Sequence, residues 1–364
     1  MAHADDQHDV VSSAGHLALL RRAQQRAVEN GKAFDITVEL THRCNMACRH
    51  CYIVPGEGEL SLSQWLGILA QLAAHGVFVL TVTGGEPTVY TQFFEFLELA
   101  TRFGFALRIF SNLTTLDEED VGRLCEANIL GIETTLHAAD AETHDAFCRS
   151  PGAFDKTLRT LRLMKAKGLP LGLKTAWTRC NHKEPERMFR LAADLGLSLR
   201  GGPTVTPRRD GATDHLDCQL TEDELFDLFM KLTHLSGDSS RLASCEAYPV
   251  PDGNRGFCGA GITGVRISPS GKVYPCVEMR ECVGRLLEQP FERIWNDAPL
   301  LKELRALRLR DAKECMACED LRYCFRCPAY AVNEGFGLYG RAEAACRLAR
   351  VNRRVAEALS EAAG

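Results

Sequence analysis

The sequence predicts an α/β protein, in which a partial (β/α)6 TIM-like barrel is followed by a small, loop-rich, cysteine-dense C-terminal domain. Six apolar runs of β type alternate with helix-patterned segments, and from about Ser244 the chain becomes rich in glycine, proline and cysteine. The length of 364 residues exceeds the roughly 250–300 at which single cores stop growing. We therefore expect an N-terminal extension over 1–33, the barrel over 34–235 and the second domain over 236–364.

The extension is predicted to hold a surface helix over Leu17–Glu29, ahead of the first strand. The predicted strands are buried and parallel: Phe34–Leu40, Val77–Thr83, Phe105–Ser111, Ile129–Leu136, Leu171–Trp177 and Leu197–Val205. Helices are expected between and after them: Ser63–Ala74, Thr91–Thr101, Glu118–Glu126, Ala153–Ala166, Pro185–Leu195 and Thr221–Leu235. In such folds the chemistry lies at the carboxyl ends of the strands.

The second domain is predicted to contain a hairpin, formed by Val265–Ile267 and Lys272–Tyr274. Helices are expected at Pro290–Trp295, at Leu300–Leu307 and after Ala342. The apolar residues between them are too few for a core of its own, so we expect metal cross-links to supply the missing stability.

Composition excludes several classes of protein. The net charge of −5 offers no broad basic surface for nucleic acid. No apolar run approaches the ~18 residues that cross a bilayer, so we expect no membrane association. The first ten residues carry three aspartates and no basic cluster before an apolar stretch, which is not the pattern of a secretory signal. We therefore expect a cytoplasmic protein.

The 16 cysteines are the unusual feature, because a reducing compartment disfavours structural disulfides and favours metal ligands. Cys44-x3-Cys48-x2-Cys51 begins just after the first predicted strand, at the catalytic end of the barrel. A closed zinc site or an ordinary [4Fe–4S] cluster takes four ligands, so three thiolates leave one coordination position free. A zinc site completed by His42 or His50 is the alternative.

This triplet, with His50 before its last cysteine, resembles the signature of the radical S-adenosylmethionine (SAM) enzymes. The resemblance implies that Cys44, Cys48 and Cys51 are catalytic ligands of a [4Fe–4S] cluster whose free iron binds SAM. One electron then cleaves SAM to a 5′-deoxyadenosyl radical, which abstracts hydrogen from the substrate. The barrel would position the reactants and exclude water.

The same resemblance assigns the SAM contacts. Gly84-Gly85-Glu86-Pro87 follows the second predicted strand and would bind the SAM amino group, its glycines allowing close backbone approach. Ser111 and Asn112 after the third strand, and Thr135 after the fourth, fall where the family contacts the ribose and methionine; polar residues that simply end strands are the alternative. Lys174 would reach the SAM carboxylate or pair with Glu133.

Seven further cysteines form an ordered C-terminal pattern that resembles the SPASM extension of these enzymes, which carries two auxiliary [4Fe–4S] clusters. The resemblance implies a distal cluster held by Cys315, Cys318, Cys324 and Cys346, and a proximal one held by Cys258, Cys276 and Cys327. Cys245 is our first choice for the fourth proximal ligand, and Cys282 is the alternative. Two residues lie between Cys324 and Cys327, whereas the family usually has three at this place. A zinc ribbon over Cys315–Cys327 would leave the other cysteines unexplained.

The expected function is therefore hydrogen abstraction from a peptide or protein substrate, giving a cross-link, an oxidation or a decarboxylation. The resemblance also implies a flavodoxin- or ferredoxin-like electron donor. About 33 residues precede the first predicted strand, too few for a domain that grips a leader peptide. We therefore expect that a separate protein presents the peptide, that the Leu17–Glu29 helix helps, or that the substrate is small. Alternatives are a radical dehydrogenase that acts on a small alcohol or sugar-like molecule, an electron-transfer protein and a formylglycine-type sulfatase maturase. The last typically has aspartate where this chain has Val277, followed by Glu278.

Overall fold

The first part of the fold is a parallel sheet. The structure, a computed structural model, describes residues 14–56, 58–235 and 252–363. Its first six strands are β1 (Asp35–Glu39), β2 (Val79–Thr83), β3 (Ala106–Phe110), β4 (Ile129–Thr135), β5 (Leu171–Ala176) and β6 (Leu199–Gly202). Each pairs in parallel with the next in sequence, so all six predicted strands are present and their carboxyl ends share one edge.

Helices connect these strands as consecutive β/α units. They are α1 (Ala14–Glu29), α2 (Leu62–His75), α3 (Phe93–Arg102), α4 (Glu118–Leu124), α5 (Ala141–Cys148), α6 (Ala153–Ala166), α7 (Pro185–Asp194) and α8 (Glu222–Leu235). The sequence analysis did not predict α5. Its start is fixed by Asp140, whose side chain accepts a hydrogen bond from the backbone N–H of Thr143 at 2.9 Å.

The C-terminal region continues the barrel sheet. Its elements are β7 (Arg266–Ile267), β8 (Lys272–Tyr274), β9 (Gly284–Arg285), α9 (Phe291–Asp297), α10 (Pro299–Ala306), α11 (Lys313–Met316), α12 (Pro328–Asn333) and α13 (Glu343–Ala363). The predicted hairpin is β7–β8, but β7 also pairs in parallel with β1, giving the order β6-β5-β4-β3-β2-β1-β7-β8-β9. A Cβ at Gly264 would overlap the carbonyl oxygen of Asp35, so this close approach requires glycine. The six barrel strands thus form an open sheet whose β1 edge is covered, which confirms the predicted fold class.

One hydrophobic core serves both regions. Ile267, Val273 and Trp295 belong to the same buried cluster as the barrel residues Ile36 and Leu72. The C-terminal region therefore buries more apolar surface than its sequence indicates, because it buries that surface against the barrel rather than within itself.

The structure does not describe residues 236–251. The predicted start of the second domain at 236 and the predicted ligand Cys245 therefore lie outside the described residues. Over the described ranges, no helix is long and apolar enough to cross a membrane.

Candidate radical SAM site

The cysteine triplet lies on the loop that follows β1. Its conformation is set locally: the backbone N–H of Cys51 donates to the carbonyl of Cys48 at 3.1 Å, and the Cys44 sulfur accepts from the N–H of Met46 at 3.4 Å. Burial, the largest cause, and the charges of Glu86, Cys48 and Cys51 together raise the pKa of Cys44 to about 11. The three thiols therefore lie near enough to interact electrostatically, although among the described residues the ligand atoms found within 4.8 Å of the Cys48 sulfur are those of Cys148 and His137. Without a cation to neutralise them, the three thiols stay protonated at neutral pH, and a metal centre would remove that cost.

The Gly84–Pro87 segment is packed against the residues before the triplet. The N–H of Gly85 donates to the carbonyl of Thr41 at 2.8 Å, and the N–H of Glu86 donates to that of Arg43 at 2.9 Å. A Cβ at Gly84 would overlap the carbonyl oxygen of Thr41, and a Cβ at Gly85 would overlap that of Arg43. Close backbone approach is therefore required as expected, but the backbone approached is that of the triplet loop.

Glu86 ties the ends of β2 and β3 together from within the protein. Its buried carboxylate accepts hydrogen bonds from the Ser111 hydroxyl and the Asn112 N–H, both at 2.7 Å, and from the N–H and hydroxyl of Thr88. Burial raises the pKa of Glu86, although these hydrogen bonds oppose the shift. The Asn112 side chain in turn donates to Asn45 at 2.8 Å, inside the triplet loop. Three of the predicted SAM contacts therefore form a scaffold under that loop.

Lys174 pairs with Glu133, one of the two partners that the sequence left open. Its ammonium pairs with the fully buried carboxylate of Glu133 and lies 3.7 Å from the centre of the Phe110 ring. Arg200 approaches the same carboxylate at 3.4 Å. Thr135, which ends β4, is half-buried and lies beside Lys174 in the strand register.

The C-terminal cysteines fall into two groups. One comprises Cys258, Cys276 and Cys327. Burial, together with charges within the group, raises the pKa of Cys276 to about 12 and that of Cys327 to about 11. The other lines one cavity and comprises Cys315, Cys318, Cys324 and Cys346. Burial raises the pKa of Cys324 to about 12, with its three partners adding to the shift. The short interval between Cys324 and Cys327 thus divides these two cysteines between different groups.

Three arginines lie beside the group of four. Arg326, Arg341 and Arg350 line the cavity, and Arg341 donates a hydrogen bond to Cys346. Cationic donors of this kind stabilise thiolates and the net negative charge of a ligated cluster. Among the described residues, no fourth cysteine interacts electrostatically with the group of three. Cys282 is exposed, and its sulfur donates to the carbonyl of Gly284 at 3.2 Å.

A buried charge network joins the barrel mouth to the C-terminal region. Glu39, at the end of β1, accepts from Arg209 at 2.5 and 3.0 Å, from Arg266 at 2.7 Å and from His42 at 3.0 Å. Burial alone raises its pKa, but the hydrogen bond from His42 and the charges of Arg266 and Arg209 outweigh burial and lower it. Arg266 also donates to the carbonyl of Cys276 at 3.3 Å. One carboxylate therefore connects the strand that begins the triplet loop with the group of three.

Two polar residues at the mouth of the barrel are held by contacts within the protein. Arg209 is held by Glu39, as described above. His137, after β4, is only 3 % exposed and packs against His50, His144 and Phe147. The sequence also missed Cys148, which lies with Cys48 and His137 although about a hundred residues separate it from the triplet. No spacing signal marks such a contact.

Comparison with known proteins agrees with this geometry. The family model of the radical SAM superfamily matches residues 38–192, and that of the SPASM iron–sulfur cluster-binding domain matches 258–328. The mycofactocin maturase MftC of Mycobacterium tuberculosis is 30% identical, with 79% of this chain and 76% of that protein aligned. The AdoMet-dependent heme synthase of Methanosarcina barkeri is 28% identical over 81% of this chain and 91% of that protein.

A solved structure shares the fold. Streptococcus suis SuiB bound to its precursor peptide SuiA superposes with a TM-score of 0.69 at 16% identity, covering 93% of this chain and 82% of that one. The family matches, the identity to MftC and the grouped cysteines lead to the same assignment. The chain belongs to the radical SAM superfamily, carries a SPASM domain, and is an iron–sulfur, S-adenosylmethionine-dependent enzyme.

Proposed function

We propose that this enzyme modifies a peptide or protein after translation, using three [4Fe–4S] clusters. The observation that carries the proposal is the division of the cysteines into a triplet at the barrel mouth and two further groups in the C-terminal region. Cys44, Cys48 and Cys51 would hold the cluster that binds SAM, whereas Cys315, Cys318, Cys324 and Cys346 would hold the distal auxiliary cluster. Cys258, Cys276 and Cys327 would hold the proximal one.

The chain's own residues supply positioning. When bound, the triplet cluster and SAM supply the 5′-deoxyadenosyl radical that abstracts a hydrogen atom. The scaffold of Glu86, Ser111 and Asn112 fixes the loop that carries the triplet, and Gly84 and Gly85 let it pack closely. A rigid loop keeps the distance between the radical and the substrate hydrogen constant.

The region between the triplet and the proximal group is where we place the substrate. Glu278 interacts electrostatically with Tyr52, the neighbour of Cys51, and with Cys327 of the group of three. It also hydrogen-bonds Thr206 from the loop after β6. A substrate lying here would face the radical on one side and the proximal cluster on the other, so that an electron could leave the substrate radical through that cluster.

Peptide maturation is favoured over a small-molecule reaction by the relationship to MftC, which is a maturase by name. The heme synthase relative favours the second candidate, a radical reaction on a small molecule, because the alignment covers a similar share of this chain. The two candidates share the clusters and differ in substrate size.

The test is release of 5′-deoxyadenosine by the anaerobically reconstituted, reduced protein. It should be challenged separately with peptide-sized and metabolite-sized fractions of its host's extract. We expect stimulation by the peptide fraction, and stimulation by the small fraction alone would favour the second candidate.

Replacing Cys44, Cys48 and Cys51 with alanine should abolish SAM cleavage and lower iron from about twelve to about eight atoms per chain. A matched control replaces the exposed Cys125, which lies outside all three groups. SAM cleavage by the triple variant would refute the assignment of the triplet.

A further inference from the structure

Helix α5 is bonded directly to the triplet loop. The N–H groups of Ala47 and Arg49, on either side of Cys48, donate to the carbonyls of Cys148 and Phe147 at 3.0 and 3.1 Å. These two bonds clamp the loop onto the last turn of the helix. Cys48 is consequently held against Cys148, a cysteine that belongs to none of the three groups described above.

Three metal-ligating side chains converge at this contact. The sulfurs of Cys48 and Cys148 and a ring nitrogen of His137 all lie within 4.8 Å of one another. Tetrahedral zinc takes sulfur at about 2.3 Å and imidazole nitrogen at about 2.0–2.1 Å, so the three atoms need to close in only slightly to reach one ion. Cys148 and His137 are 1 % and 3 % exposed, and the site is therefore shielded from solvent.

The side chains of Cys48 and Cys148 hydrogen-bond each other, and a further hydrogen bond supports Cys148 from behind. The N–H of His137 donates to Nδ1 of His144 at 3.0 Å, which puts the His144 proton on Nε2. That Nε2 lies 3.5 Å from the Cys148 sulfur and donates to it, as a supporting residue does for a thiolate ligand. Nδ1 of His137 is buried with no hydrogen-bond partner in the described structure. A buried ring nitrogen without a partner is costly, and no hydrogen bond holds this nitrogen of the imidazole away from a metal ion.

We propose that Cys48, Cys148 and His137 form a binding site for a soft divalent cation of the zinc type in the cluster-free chain. Binding releases two thiol protons and gives two thiolates, one imidazole and one open position. The competition that follows rests on the proposed function, in which Cys48 is an iron–sulfur ligand. One sulfur cannot serve both sites in this way, so zinc bound here blocks assembly of the SAM-binding cluster.

The experiment uses the full-length chain, stripped of iron by a chelator under anaerobic conditions and titrated with Co²⁺ as a spectroscopic substitute for zinc. The auxiliary cysteines also bind Co²⁺, so the result is read as a difference between variants. We expect Cys148→Ala and His137→Gln each to bind about one Co²⁺ fewer than the unaltered chain. Cys125→Ala, the control at an exposed cysteine, should bind the same number. Equal Co²⁺ binding by Cys148→Ala and the unaltered chain would overturn the proposal.

A second arm separates this inference from the proposed function. Cys44→Ala should lose the SAM-binding cluster and keep the Co²⁺ site. Cys148→Ala should keep the SAM-binding cluster and lose the Co²⁺ site. Zinc at the auxiliary cysteines lowers iron uptake in every variant alike, so this arm is also read as a difference: loading with zinc before reconstitution should lower iron by about four atoms per chain more in the unaltered protein than in Cys148→Ala. An equal loss of iron in the two proteins would contradict the competition. SAM cleavage that persists in Cys44→Ala would count against the proposed function and leave the Co²⁺ result standing.

Discussion

Replacing Glu39 with glutamine should destabilise the whole fold. The carboxylate is 1 % exposed and neutralises Arg266, whose side chain is 3 % exposed, and Arg209, at 15 %. Removing one partner of a buried ion pair costs about 3–5 kcal/mol, because it leaves the other charge buried and uncompensated. With an unfolding entropy of roughly 2.1 cal/mol/K per residue, this corresponds to a fall in Tm of about 4–7 °C for 364 residues.

The assay is differential scanning calorimetry of the cluster-free chain, which separates folding from cluster loss. Glu184→Gln is the matched control, since Glu184 pairs with Arg187 at 2.8 Å but both side chains are more than half exposed. An exposed pair contributes at most about 1 kcal/mol. A fall in Tm for Glu39→Gln no larger than that of the control would refute this role of the Glu39 carboxylate. Adding Arg266→Gln to Glu39→Gln should recover part of the loss, because it removes one of the uncompensated charges.

Three further predictions concern single side chains. Gly85→Ala should lower the free energy of unfolding in urea by about 1–3 kcal/mol, because the added methyl group displaces the triplet loop. Its control is Gly67→Ala, at an exposed position of α2 with open space around it, which should raise the free energy of unfolding by about 0.5–1 kcal/mol. Glu86→Gln puts an amide where the carboxylate accepts the Asn112 N–H, and it should lower the free energy of unfolding by about 1–3 kcal/mol in the same assay. An unchanged urea midpoint would contradict the role of Glu86 in the scaffold. A hydrogen bond from His75 lowers the pKa of Glu292 to about 2, below its ordinary 4.5. The stability that ionised Glu292 gives the fold is therefore fully present above pH 4.5 and is lost as pH falls toward 2. Glu292→Gln should flatten the pH dependence of Tm over that interval, and an unaltered profile would refute the role.

The barrel was predictable because its signals are local. Each strand is a continuous apolar run between turn residues, and burial on both faces produces such runs directly. Helix α5 was missed because its eight residues, Ala141–Cys148, present little apolar periodicity, and a single capping aspartate defines its start. The pairing of β7 with β1 was also beyond local signals. It joins residues more than two hundred positions apart, and its one trace in the sequence is Gly264, whose lack of a Cβ admits the Asp35 carbonyl.

The candidate site shows the same division. The triplet and the C-terminal cysteines were found because ligand spacing is itself local, a few residues within one loop. The partners of Glu86 and Lys174 were harder to anticipate, because residue type at a strand end does not say whether a polar group faces a ligand or its own scaffold. Cys148 carries no spacing signal at all. It reaches Cys48 only because α5 ends beside the triplet loop, and that contact depends on the packing of the whole barrel.

The way the C-terminal region joins the barrel bears on electron transfer. If the auxiliary cysteines formed a separate, tethered domain, the distance between the triplet and the proximal group would vary with its motion. Instead β7 is hydrogen-bonded to β1, and Arg266 on β7 binds both Glu39 at the end of β1 and the carbonyl of Cys276. The triplet and the proximal group are thus tied to adjacent strands of one sheet through a single guanidinium. A substrate bound between them, as proposed above, would meet both sites at a fixed separation, which suits the proposed reaction in which an electron leaves the substrate on the side opposite the radical.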